Sequence, residues 1–106
     1  MQFSDSIKYL ASSKYIDKSL DVVENREWLD LGRCVIMPNS AANKVKGNDS
    51  EPRVYSYEII MRKPKVHIPK EDEWVHITKK DGTIDTDAQV IGFVTYKGRF
   101  LKLWVS

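Results

Sequence analysis

The sequence predicts a mainly β domain, a small closed or partly open antiparallel barrel or sandwich, and three observations carry that prediction. Short runs such as Arg53–Arg62, Trp74–Thr78 and Phe100–Val105 alternate or cluster apolar residues over strand length. Tight-turn chemistry separates them, in Lys80-Asp81-Gly82-Thr83 and Tyr96-Lys97-Gly98-Arg99. Gly32 and Gly92 lie inside apolar runs, where glycine marks a bulge or a bend of the kind a closing sheet needs. At 106 residues the chain fits one domain, residues 1–106, around one core.

Residues 1–27 carry no decisive period. Ser4-Asp5-Ser6 could cap a short helix through Ile7, Tyr9, Leu10 and Ala11, and the same residues could form a first strand. Tyr15-Ile16 with Leu20, Val22 and Val23 fits either type. From Trp28 a strand runs to Met37 and ends at Pro38-Asn39-Ser40. A polar loop then spans 39–52, longer than most connections in compact domains, and such loops tend to carry function.

Arg53–Arg62 is the clearest strand. Tyr55, Tyr57, Ile59 and Met61 share one face, Val54, Ser56 and Ile60 the other, and Lys63-Pro64 stops it because proline lacks a ladder donor. Ile68-Pro69 and a charged turn lead into Trp74–Thr78. Asp85, Thr86 and Asp87 read as a polar turn before the strand Val90–Tyr96, and the Lys97-Gly98 hairpin feeds the last strand.

Composition excludes several classes. With 42% hydrophobic and 30% charged residues the chain is neither disordered nor membrane-like, and no apolar run could span a bilayer. The first residues lack the basic start and apolar run of a signal peptide, so synthesis in the cytoplasm is expected. A net charge of +2 is too weak to hold nucleic acid by bulk electrostatics. Cys34, the only cysteine, lies in an apolar run and reads as a buried, inert thiol.

Nothing in the sequence points to catalysis. There is no phosphate loop, dinucleotide fingerprint or serine elbow. The two histidines, His67 and His76, are not spaced as a metal motif and have no cysteine pair beside them, so no metal or cofactor is expected. Asp85 and Asp87 could ligate a cation or act as acid and base, but a solvated turn is the simpler reading. The expectation is a protein that is not an enzyme.

Contact chemistry is better represented. Tyr55, Tyr57, Trp74 and Trp104 could form an exposed aromatic surface or line the barrel interior. Two binding classes follow. One is a nucleic-acid module with Lys63, Lys65, Lys79 and Lys80 gathered around aromatics on one face. The other is a subunit of an assembly, exposing apolar surface for a neighbour.

Trp28-Leu29-Asp30-Leu31-Gly32-Arg33-Cys34, the loop from Pro38-Asn39 through Gly47-Asn48-Asp49, and Val54-Tyr55-Ser56-Tyr57 resemble the small head–tail connector proteins of tailed bacteriophages and prophages. These are also called head-completion, head-closure or stopper proteins. The pattern continues through Ile68-Pro69, Val75-His76-Ile77, Val90–Phe93 and Leu101-Lys102-Leu103-Trp104, covering roughly residues 28–105. The resemblance implies a β-barrel that joins a homo-oligomeric ring in the virion, often monomeric when isolated. Its partners would be portal or adaptor and tail-completion proteins, with transient DNA contact and no membrane. It also implies that the 39–52 loop projects into the DNA channel, with Lys44 and Lys46 facing phosphates and Asn43, Gly47 and Asn48 at a flexible tip.

Overall fold

A computed structural model describes residues 2–46 and 51–106. Eight strands are formed: β1 (Asp5–Ile16), β2 (Val22–Pro38), β3 (Lys44–Lys46), β4 (Pro52–Val54), β5 (Tyr57–Arg62), β6 (Trp74–Thr78), β7 (Asp85–Tyr96) and β8 (Phe100–Val105). Six of them close an antiparallel barrel in the order β1-β2-β5-β8-β7-β6, and β3 and β4 pair as a separate two-stranded sheet. No helix occurs among the described residues, so the helical reading of the N-terminal segment is corrected: these residues form β1.

Alternation builds the core. Ile59 and Met61 of β5, Val75 and Ile77 of β6, and Leu101, Leu103 and Val105 of β8 all point inward and are at most 2% exposed. Ile7 and Cys34 complete the wall where β1 meets β2, and both are fully buried. Closure leaves β5, at the centre of β2 and β8, with inward Ile59 and outward, partly covered Ile60. The strand expected over Arg53–Arg62 is broken at Tyr55-Ser56. There the Ser56 N–H donates to Val105 and its carbonyl accepts from Asn39, so the chain turns from the small sheet into the barrel.

Both expected bulges exist, each beside its glycine. Ile7 pairs with Gly32 and Lys8 with Asp30, so Leu31 is the extra residue; Val90 pairs with Val105 and Gly92 with Trp104, so Ile91 is. Leu31 and Ile91 are both buried, which means the bulges turn an additional apolar side chain away from water while sharpening sheet curvature. Gly32 sits at φ 140°, a conformation that a residue with a Cβ rarely adopts. Asp85–Asp87, read from sequence as a turn, instead begins β7 and pairs with His76–Thr78.

Asp5 ties three elements together. Its carboxylate accepts from the Ile36 N–H and the Lys80 N–H, both at 2.9 Å, and the Lys79 ammonium lies 3.6 Å away. Burial alone would raise this acid, but the two backbone donors and Lys79 outweigh it and hold its pKa below the usual value of 3.8.

Candidate functional site

The β1–β2 hairpin outgrows the barrel. β6 covers β1 only over Ser6–Tyr9, and β5 covers β2 only over Cys34–Pro38. The rungs from Leu10↔Trp28 to Ile16↔Val22 therefore belong to the hairpin alone, seven in all, an arm of roughly 20 Å at strand rise. The molecule is accordingly elongated, 52 × 32 × 30 Å. Neither outer edge of this arm has a ladder partner among the described residues.

The arm's tip exposes four large apolar side chains beside a polar turn. Tyr15, Ile16, Leu20 and Val22 are 55%, 68%, 84% and 70% exposed. Its turn is well specified: the Asp17 carboxylate accepts from the Ser19 and Asp21 N–H groups, and Leu20 N–H donates to the Asp17 carbonyl. Leu20 adopts φ 64°, a left-handed position that glycine or asparagine occupies at lower cost. A bulky apolar residue is thus held both strained and in water.

The outer face of β5, β8 and β7 carries a shallow groove. Phe3 stacks on Phe100 with ring centroids 6.4 Å apart, and Ile60 and Tyr96 extend the apolar floor. Arg62 lies over the Phe3 ring and Lys102 over Tyr96, with the Lys102 ammonium 2.8 Å from Glu58.

The 39–52 loop is partly a β-hairpin. Asn39 organises its base, with Nδ2 donating to the Asn43 and Tyr55 carbonyls and Oδ1 accepting from the Asn43 N–H. Lys44 pairs with Val54 and Lys46 with Pro52, and both lysine side chains are exposed. Val45 between them leans on β7 at Gly92, the point of close approach to the barrel. Asn43 therefore sits at the base of the hairpin rather than its tip, because the Asn39 bonds hold it there. Gly47 and Asn48 lie outside the described residues.

The four lysines of the nucleic-acid reading do not share a face. β5 and β6 run in opposite directions in the closed sheet, so Lys63 and Lys65, after β5, lie at one end of the barrel, and Lys79 and Lys80, after β6, at the other. Lys79 is further committed to the Ile36 carbonyl at 3.1 Å and to Asp5. Of the four aromatics, Tyr55 is buried with its ring edge on Trp104, Tyr57 packs against the core, and Trp74 is exposed at 46%.

The two histidines have structural partners. His67 Nε2 lies 2.7 Å from Glu73 and its ring stacks on Tyr9 at 4.7 Å. His76 sits between two carboxylates, Nδ1 2.6 Å from Asp87 and Nε2 2.7 Å from Asp85, with Thr78 donating to Asp85. Both nitrogens face acceptors, which suits the doubly protonated ring. No group of three or more His, Cys, Asp or Glu side chains converges as a metal site among the described residues. Cys34 is fully buried, and desolvation pushes its thiol up to about 12.

Sequence reasoning missed the arm and the groove. The arm has no buried face, so it shows no alternation; the groove joins Phe3 to residues 57–97 positions away, a proximity that only closure creates. The Asp-Thr-Asp spacing opposite His76-Ile77-Thr78 was a readable signal for the carboxylate pair. No family model, no curated protein and no solved structure matches the chain.

Proposed function

We propose that this chain is a structural assembly subunit, one protomer of the head–tail connector ring of a tailed bacteriophage or prophage. It would be made in the bacterial cytoplasm and end in the virion, between portal or adaptor and tail, lining or closing the DNA channel. The observation that carries the assembly reading is the projecting hairpin arm with four exposed apolar side chains at its tip. A monomer that kept this surface in water would gain nothing from it, whereas a neighbour that covered it would recover burial worth about 25 cal/mol for each Å². The connector assignment rests on the resemblance over residues 28–105, and the exposed Lys44 and Lys46 on the β3–β4 stem are suited to face phosphates in passing.

Against the nucleic-acid alternative stand the weak net charge and the separation of Lys63 and Lys65 from Lys79 and Lys80 at opposite barrel ends. The test is sedimentation of the full chain from micromolar to millimolar concentration, alongside DNA binding by fluorescence anisotropy. Concentration-dependent association, with no DNA binding at physiological salt, is expected. Tight and steeply salt-dependent DNA binding by a chain that never self-associates would overturn the proposal.

A further inference from the structure

The hairpin arm and the aromatic groove are complementary in three respects. The first is position. The groove faces outward from β5, β8 and β7, whereas the tip stands seven rungs beyond the last strand that covers the arm and its apolar side chains are 55–84% exposed, so the two surfaces do not meet within one chain. Two separate surfaces on one chain suit a head-to-tail contact, and a contact of that kind repeats around a ring until rotation closes it.

The second is chemistry. The tip offers Ile16, Leu20 and Val22, branched aliphatics without polar atoms, and the groove floor offers the rings of Phe3, Tyr96 and Phe100. The turn at the tip carries Asp17, Lys18 and Asp21, two acids and one base, while Arg62 borders the groove and Lys97 and Arg99 follow in the adjoining turn. A net negative tip therefore meets a basic rim, an arrangement that sets orientation more than strength.

The third is the strain at Leu20. A bulky side chain in the left-handed region, 84% exposed, costs stability in the isolated chain both through its backbone and through its hydration. Burial in a partner would remove the hydration cost and offset the backbone cost.

We infer that the Ile16–Leu20–Val22 tip of one copy of this chain seats in the Phe3–Tyr96–Phe100 groove of the next copy. This inference rests on the assembly reading and gives that assembly its contact. Two full-length variants test it, Lys18→Cys beside the tip and Lys97→Cys beside the groove, one carrying a mass tag, mixed at high concentration with a short bismaleimide. Native Cys34 does not interfere, because it is fully buried with a depressed thiolate fraction. Thr83→Cys, exposed in the turn at the far end of the barrel, replaces Lys97→Cys as the control.

The expected result is heterodimer trapping at Lys97→Cys many-fold above trapping at Thr83→Cys. A Leu20→Gly chain, whose backbone relaxes at this position, should fold normally yet lose concentration-dependent association. Equal trapping at both sites, or none, overturns the contact. If the wild-type chain still associates in sedimentation, the assembly reading survives that failure and another surface carries it. If the chain associates neither alone nor on portal rings and does not cross-link, both fall together.

Discussion

His76 and Asp87 face each other across the β6–β7 ladder, with the imidazole Nδ1 2.6 Å from the Asp87 carboxylate. The bond to Asp87 is the main reason the His76 pKa lies above its usual 6.5; partial burial opposes the shift and Asp85 adds to it. Trp28 presents its ring to His76 at 5.8 Å, and Lys8 of β1 is its ladder partner on the other side.

A raised histidine stabilises the fold fully below pH 6.5 and loses that contribution as pH climbs through the higher folded value. Wild type should therefore lose melting temperature relative to His76→Gln over that alkaline-going window. Because Asp85 and Asp87 are more than half exposed, the effect should be at most about 1 kcal/mol. Thermal melts at several pH values, with a proton titration of the His76 ring, check it.

Asp5 gives the opposite pH dependence. Its pKa is lowered, so its contribution is present above 3.8 and disappears as pH falls through the folded value. Asp5→Ala removes the acceptor for Ile36 N–H and Lys80 N–H together and should cost about 3 kcal/mol at neutral pH. Chemical denaturation of the two chains measures this directly.

Cys34 should be silent in the native state. A thiol raised to about 12 and wholly buried should not react with a maleimide at pH 8 until the barrel unfolds. Labelling across a denaturant series should track the unfolding curve, and rapid native labelling would mean that the β1–β2 wall opens.

Lys97 sits at φ 52° ahead of Gly98 at φ 66°, a pair of left-handed residues suited to the two-residue hairpin between β7 and β8. Lys97→Asn should stabilise the chain by about 0.5–1 kcal/mol, since asparagine tolerates this region better than lysine. Comparison of melting curves decides it.

Strands with one buried face were legible in the sequence. β5, β6 and β8 each show the two-residue period, because one side packs against the core and the other does not. The two turns with glycine at left-handed positions, Gly82 and Gly98, were legible for an equally local reason. The N-terminal arm was not. From Ser12 to Ser19 and from Glu24 to Asp30 nearly every residue is at least partly exposed, so burial imposes no period, and cross-strand pairing over tens of residues decides the conformation instead. Asp85–Asp87 misread as a turn for a related cause: three polar residues on a solvated strand look like a loop until His76 and Thr78 are known to lie beside them. The groove depends on barrel closure, which no local pattern encodes.

We propose that this chain builds a connector ring through its arm. Portal rings of the phage or prophage proposed to encode it, incubated with the full chain and imaged by electron microscopy, are the decisive assay. An added ring of density stacked on the portal is expected with wild type, lost with Leu20→Gly despite an intact fold. Portal rings that acquire no density from the wild-type chain at any concentration would contradict it.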